Sequence, residues 1–270
     1  MNSQTAKRAV YIYASEVAAC IGKNPYKSKN EAFMNVLRRM DPDLHERVAR
    51  ETQYEDDAMV LQRVLPPERA AAVESRARQT SDRRDVEQVV QACVQQVKDS
   101  LPAGAEVSDR EREKIERAIR SAAQTSVGIA REGGVLGAVN AMLVDQNIHF
   151  APDARLYKRR MGAHNGREWY LCGRVDGLSS DRALVLEIKN RMRRLFGRVV
   201  EYEKIQMMCY QAMVDARRGL LAEALDPEHL GLHWIDFDEA EWQDVTAQLG
   251  TFAVDVIDAL DATAAESAGP

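Results

Sequence analysis

Two apolar segments separated by a turn, within residues 167–190, restrict the fold of this chain more than any other feature. The segment REWYLCGRVDG alternates in polarity, GLSSDRA has the composition of a turn, and ALVLEIKN is again largely apolar. Alternation with a period of two is typical of β-strands. We therefore predict a strand hairpin at the centre of a sheet.

Charged residues lie inside this hairpin, where burial makes charge costly. Residues two apart on a strand point to the same face, so Glu187 and Lys189 should project side by side. Asp176 lies at the end of the first strand, and strand pairing would bring its carboxylate near Glu187. Two close carboxylates repel each other unless a cation neutralises them.

This acid–acid–lysine set suits a divalent cation and a phosphate. Mg²⁺ prefers oxygen ligands, keeps several waters and shares its shell with phosphate. A neighbouring lysine would position or activate a water, or offset charge in the transition state. The same spacing also fits a surface hairpin with a Glu187–Lys189 ion pair, but the apolar residues on both sides favour a metal-dependent phosphodiester hydrolase.

Composition excludes several other classes of protein. The chain has 270 residues and a net charge of −5, so any nucleic-acid contact must come from local basic patches. The four cysteines form no CxxC pair, which argues against a zinc site and against disulfides. No apolar run is long enough for a membrane span, and the N-terminus lacks an apolar signal core, so we expect an intracellular, cytoplasmic protein.

Residues 42–127 predict a mostly helical insertion, because they are rich in Arg, Glu, Gln and Ala and poor in aromatic residues and Gly. Ser15, Ser28 and Ser108 each suit the N-cap of a helix. In the simpler interpretation the insertion is a solvated segment; in the alternative it is a DNA-contacting arm or an oligomer surface. We expect helices at residues 44–62, 67–78, 82–99 and 108–142.

The pattern after the hairpin completes the predicted fold. Residues 202–216 predict a helix, HWIDFD (233–238) predicts a further strand, and the segment that begins at residue 239 predicts an amphipathic closing helix. The expected class is α/β, with a central mixed β-sheet flanked by helices. Residues 1–270 would form a single domain that contains the helical insertion.

Four blocks along the chain match a known pattern in the same order. They are ASEVAACIGKNPYKS near the N-terminus, GIAREGG at 128–134, RVDG with LEIK in the hairpin, and YEKIQMMCYQAMV at 202–214. Together they resemble the PD-(D/E)XK nuclease superfamily, and more narrowly the YqaJ-type viral recombinase family that includes the phage lambda exonuclease. The resemblance spans nearly the whole chain except residues 42–127, and it implies a restriction-endonuclease-like core.

The resemblance also implies a metal site and a catalytic lysine. Asp176, Glu187 and the backbone carbonyl of Ile188 would hold Mg²⁺, for which Mn²⁺ can substitute. Lys189 would be the catalytic lysine. Glu132 would help to hold a second metal or its water.

A phosphate pocket is implied as well. Gln206 would face the site and hold the substrate or orient the lysine. Arg8 and Ser15 would contact the 5′-phosphate, and either Arg193 or Arg194 would complete the pocket. A solvated or oligomer-contacting patch is the alternative for the arginines.

The implied activity is that of a 5′→3′ exonuclease on duplex DNA ends, which leaves a 3′ single-stranded tail for recombination. The alternatives are an endonuclease or structure-specific nuclease with the same core, and a non-catalytic protein that binds DNA ends. The resemblance further implies a ring-shaped homotrimer, a single-strand annealing protein as partner, and a phage or viral origin.

Overall fold

Two mixed β-sheets with helices packed around them form the frame of the chain. The computed structural model describes residues 7–101 and 106–267. The predicted mixed α/β class is confirmed, but the strands divide between a three-stranded and a five-stranded sheet and do not form one central sheet. The ends of the predicted single domain, and residues 102–105 of the predicted insertion, lie outside the described residues.

The elements follow one another in a mixed order. The strands are β1 (Val10–Tyr13), β2 (Phe150–Ala151), β3 (Tyr157–His164), β4 (Arg167–Gly173), β5 (Gly177–Ser179), β6 (Leu184–Asn190), β7 (Arg218–Asp226) and β8 (His229–Asp236). The helices are α1 (Val17–Cys20), α2 (Lys29–Met40), α3 (Pro42–Thr52), α4 (Asp57–Val64), α5 (Pro67–Ala77), α6 (Val86–Ser100), α7 (Asp109–Met142), α8 (Glu201–Val214) and α9 (Glu239–Ser267). Short 3-10 turns lie at Ala14–Glu16, Arg83–Asp85 and Val144–Gln146.

Each sheet contains one parallel pair of strands. In the three-stranded sheet β4 lies in the middle, parallel to β1 and antiparallel to β3. The five-stranded sheet has the order β2-β5-β6-β7-β8, and its parallel pair is β6 and β7. Helix α8 connects these two strands, as a parallel pair requires a long crossover.

The predicted hairpin is partly wrong. The strand that carries LEIK pairs with β5, where Gly177 lies opposite Leu186, and not with β4. The reason is that the chain leaves the first sheet after Gly173 and enters the second at Gly177. The crossing segment, residues 174–176, therefore carries Asp176 from one sheet to the other.

Local capping decides where the helices begin and end. The capping boxes at Ser28 and Ser108 are confirmed, with both hydrogen bonds of each box present. The predicted helix 44–62 is wrong, because Gln53 adopts a left-handed conformation with φ of 53° and the Asp56 side chain caps a second helix. Ser15 is not an N-cap either: it lies inside the 3-10 turn that precedes α1.

The hydrophobic side chains form three separate clusters among the described residues, and two of them meet along α7. The first cluster joins α1, α2, α3, α8 and α9 to the three-stranded sheet and to one side of the five-stranded sheet. The second lies within residues 60–127, and the third lies between α7 and the five-stranded sheet. Helix α7 contributes Ile119 and Val127 to the second cluster and Val135 and Val139 to the third. No helix in the described part of the chain combines the length and hydropathy of a membrane span.

Candidate active site

An acid–acid–lysine cluster forms where the chain crosses between the sheets. The side chains of Glu187 and Lys189 project together from β6, as predicted, and Lys189 Nζ donates to Glu187 Oε1 at 2.7 Å. Asp176 reaches the same strand, because its Oδ2 accepts a hydrogen bond from the backbone N–H of Ile188 at 2.6 Å. The predicted proximity of Asp176 to this strand is observed, although the predicted pairing of the strand with β4 is wrong, and the roles of the three residues stay predictions.

Gln206 of α8 closes the cluster from the other side. Its Oε1 accepts a hydrogen bond from Lys189 Nζ at 2.8 Å, and its Nε2 donates to Glu187 Oε1 at 2.9 Å and to the hydroxyl of Tyr210 at 2.8 Å. Gln206 is only 8% exposed. Most residues of α8 are buried, and Gln206 is directed at the cluster and not at solvent.

Both carboxyl groups hold protons more tightly than usual. Burial, with a smaller contribution from Glu132, raises the pKa of Asp176 to about 6 although the Ile188 N–H opposes this. Burial also raises the pKa of Glu187 to about 8, with Lys189 opposing and Asp176 adding to the rise. The charges of Asp176 and Glu187 therefore oppose each other within the cluster. A bound cation would relieve this repulsion.

Lys189 remains protonated in this setting. Its burial acts to lower the pKa, but the negative charges of Glu187, Glu203 and Asp176 outweigh burial and raise it. Glu132, half-buried on α7, has a pKa raised by burial and by Glu187. The predicted helical glutamate is therefore an electrostatic neighbour of the cluster.

The donor atoms at the site fit a hard divalent cation. Asp176, Glu187 and the Ile188 carbonyl offer oxygen atoms only, and Mg²⁺ is commonly held by one or two carboxylates together with waters and phosphate oxygens. Among the described residues no three acidic, histidine or cysteine side chains converge into a ligand cluster. The two carboxylates thus form the strongest candidate ligands, and a metal role for Glu132 stays a prediction.

A buried arginine beside the site is held between two acids. Arg191 is 8% exposed and forms hydrogen bonds with Glu203 and Glu223. Its Nη1 and Nη2 donate to Glu203 at 2.6 and 2.9 Å, and its Nε donates to Glu223 at 3.0 Å. The backbone N–H groups of Phe196 and Gly197 also donate to Glu223, each at 2.7 Å.

This network holds the start of the basic loop, residues 191–200, which follows β6. Sequence reasoning missed Glu203 and Glu223. The first was detectable, because it precedes Gln206 by three residues and therefore shares its helix face. The second lies in β7, whose sequence RGLLAEALD is rich in helix formers and did not predict a strand.

The predicted phosphate-binding residues lie in separate parts of the chain, with no hydrogen bond or ion pair between any two of them among the described residues. Arg193 and Arg194 are exposed on the loop after β6. Arg120 and, more weakly, Arg193 lower the pKa of the Glu87 carboxyl, so Arg193 has an acid near it. Arg8 donates to the carbonyl of Met40 at 3.3 Å, at the start of β1. Ser15 is exposed near the end of that strand. Helix α1, which follows Ser15, has only four residues.

Comparison with known proteins gave limited likeness. No protein-family model and no curated protein match the chain. The crystal structure of SSO0001 is similar at 22% identity and a TM-score of 0.38, over 54% of this chain and 67% of that one. An alkaline exonuclease from Laribacter hongkongensis, LHK-Exo, is similar at 12% identity and a TM-score of 0.38, over 70% of this chain and 91% of that one. The complex of LHK-Exo with dAMP is similar at 13% identity and a TM-score of 0.40, over 70% of this chain and 92% of that one. At these identities and TM-scores, function has to be argued from the site itself.

Proposed function

We propose that the chain is a metal-dependent deoxyribonuclease that hydrolyses phosphodiester bonds at the Asp176–Glu187–Lys189 cluster. The observation that supports this most is the buried pair of carboxyl groups with the Lys189 ammonium 2.7 Å from one of them. Burying such a set is costly for folding alone. A site that receives a cation and a phosphate makes use of the charges.

Each residue of the cluster has a role in the proposed reaction. A water attacks the phosphorus, the bond from phosphorus to O3′ breaks, and the leaving O3′ takes the electron pair and a proton. Lys189 would position the attacking water or offset negative charge on the phosphate in the transition state. Gln206 orients the ammonium group through the 2.8 Å hydrogen bond.

The proposed cofactor is Mg²⁺, for which Mn²⁺ would substitute. Asp176, Glu187 and the Ile188 carbonyl would hold it, and Glu132 would support a second ion. When bound, the ion would neutralise the carboxylates and polarise a phosphoryl oxygen. Because the pKa of Glu187 is raised to about 8, ion binding at neutral pH would release a proton from this carboxyl.

The finer activity that we propose is 5′→3′ exonuclease action on duplex ends, leaving a 3′ single-stranded tail for recombination. Arg8, Ser15 and one of Arg193 or Arg194 would hold the terminal phosphate. We further propose that the chain assembles into a homotrimeric ring and that a single-strand annealing protein is its partner. Both would act in the cytoplasm of a phage host. The loop of residues 191–200 beside the site supports the phosphate contact, because it places the exposed cations Arg193 and Arg194 next to β6.

Digestion of defined DNA substrates tests the proposal. The purified chain with Mg²⁺ should release mononucleotides from linear duplexes, faster from ends that carry a 5′-phosphate than from 5′-hydroxyl ends. Cutting of covalently closed circles would favour the endonuclease alternative instead. Tight binding of ends without any metal-dependent release would establish the non-catalytic alternative and end the hydrolase proposal.

A further inference from the structure

The outward face of the three-stranded sheet carries tyrosines, cations and one acid, Glu168, which accepts a hydrogen bond from the Tyr170 hydroxyl and pairs with Arg160, each at 2.6 Å. Its inward residues are buried beneath α8 and α9, with Ile12 and Leu171 completely inaccessible to solvent. The strand register places Tyr11, Tyr170 and Arg160 in one outward row across β1, β4 and β3. The aromatic rings of Tyr11 and Tyr170 are stacked, with centroids 5.7 Å apart.

The next row of the sheet adds a lysine above the tyrosines. Lys158 and Tyr13 both lie opposite Cys172, on the two sides of the middle strand. Lys158 extends across that strand, so that its Nζ lies 4.7 Å from the centre of the Tyr11 ring. We call Tyr11, Tyr13, Tyr170 and Lys158 the tyrosine–lysine face.

A cavity of about 350 Å³ opens on this face, and its charge is one-sided. Arg8, Arg39 and Lys158 line it together with Tyr11 and Tyr13, and no carboxylate lines it. The Glu16 carboxylate neutralises Arg39 through two hydrogen bonds of 2.7 Å. Lys158 forms no ion pair with any described acid, so its charge remains for a ligand.

A larger groove elsewhere is a weaker candidate for the same kind of ligand. It has a volume of about 830 Å³ and lies between α2 and helices α4, α5 and α7. Its arginines are matched by acids on the same walls: Arg117 bonds to Asp57 at 2.9 Å and Arg38 pairs with Asp56. A polyanion would have to break these pairs, whereas on the tyrosine–lysine face it would find an uncompensated cation.

We propose that the tyrosine–lysine face binds a single-stranded DNA segment next to the cleaved nucleotide. Bases would stack on the tyrosine rings, and a phosphate would contact Lys158. Aromatic platforms beside cationic side chains are a common way to hold single strands without reading their sequence. The inference rests on the proposed nuclease function for the identity of the strand, but not for the binding itself.

The face is linked to the candidate site by a short stretch of chain. Tyr13 pairs with Cys172, and Asp176 follows Cys172 by four residues along the same chain. Four extended residues span at most roughly 14 Å, so the edge of the face at Cys172 lies within that distance of the Asp176 backbone.

Binding in the absence of hydrolysis tests the inference. Fluorescence anisotropy would follow a labelled oligothymidine of about 12 nucleotides with the full chain in EDTA. Lys158→Glu should weaken binding about tenfold, because a charged contact is replaced by repulsion. Lys98→Glu is the matched control, since it makes the same charge change on an exposed position of α6 and should change the Kd by less than about twofold.

Separate variants and a modified oligomer test whether bases stack on the tyrosine rings. Tyr11→Ala should weaken binding about fivefold or more and Tyr11→Phe should keep it, because stacking needs the ring and not the hydroxyl. For the unaltered chain, an abasic oligomer should bind more weakly than oligothymidine, which tests stacking without any risk of misfolding.

The outcomes separate this inference from the proposed function. Equal affinities of the unaltered chain and Lys158→Glu, or equal affinities for abasic and normal oligomers, would overturn the inference even if the chain digests DNA. Weakened binding by Lys158→Glu in a chain that never digests DNA would leave the inference standing and refute the nuclease.

Discussion

Lys189 is the residue on which the proposed chemistry depends most directly. Its ammonium group is shared between Glu187 and Gln206, so it is oriented as well as charged. Lys189→Ala should reduce nucleotide release from linear duplex DNA by about a thousandfold or more, in line with the loss of a group that stabilises transition-state charge. Lys98→Ala should cut like the unaltered chain, and an active Lys189→Ala that is folded by thermal melting would contradict the assignment.

The raised pKa values of the two acids predict a pH dependence of stability. The pKa of Asp176 rises from 3.8 to about 6 and that of Glu187 from 4.5 to about 8 on folding, so the folded chain binds more protons than the unfolded chain. Their stabilising contribution is present below the ordinary values and is lost as pH rises through about 6 and about 8.

Thermal melts of the metal-free protein measure this effect. Its Tm should fall between about pH 5 and about pH 9, and Glu187→Gln should reduce that fall because the amide cannot ionise. Mg²⁺ should raise the Tm most at the alkaline end, where both carboxyl groups are charged. A variant with an unchanged Tm profile would mean that Glu187 titrates normally.

At the scale of elements, the close approach of β4 to α8 holds Gln206 in place. A Cβ atom at Gly173 would lie 2.9 Å from Tyr210 Cε1, and the Tyr210 hydroxyl accepts a hydrogen bond from Gln206. Gly173→Ala should destabilise the fold by about 1–3 kcal/mol through overpacking. Gly137→Ala, on an exposed position of α7 with open space around it, should instead stabilise by up to about 1 kcal/mol. Urea unfolding measures whether each variant lowers or raises the free energy of unfolding.

The Arg191 network joins the end of β6, the first turn of α8 and the middle of β7. Arg191→Ala would leave the buried carboxyl groups of Glu203 and Glu223 without their shared cation. We expect a loss of about 3–5 kcal/mol of unfolding free energy. Arg194→Ala, three residues along and exposed, should change stability by less than about 0.5 kcal/mol. Similar losses for both variants would show that the network contributes little.

At the scale of the whole molecule, α7 connects the helical segment to the candidate site. One helix supplies Ile119 to the cluster within residues 60–127, carries Glu132, and supplies Val135 to the cluster beneath the five-stranded sheet. Ile119→Ala should cost about 2–5 kcal/mol. It should also speed amide exchange in the turn that carries Glu132. Ile129→Ala, at a position 64% exposed on the same helix, should do neither.

The sequence by itself determined the local chemistry of this protein. Period-two alternation placed Glu187 and Lys189 on one face of a strand, and capping boxes placed the starts of α2 and α7. These features depend on neighbours along the chain, so the local sequence contains the information that determines them.

Only the tertiary structure decided which strands pair and which charged side chains form ion pairs within the protein. The departure of the chain after Gly173 split the predicted hairpin between two sheets, and β7 forms from helix-favouring residues because it is buried between β6 and β8. Two distant acids bind Arg191, whereas Lys158 has a tyrosine beneath it and no acid. Partners of this kind are far apart in sequence, and packing free energy, not local propensity, brings them together.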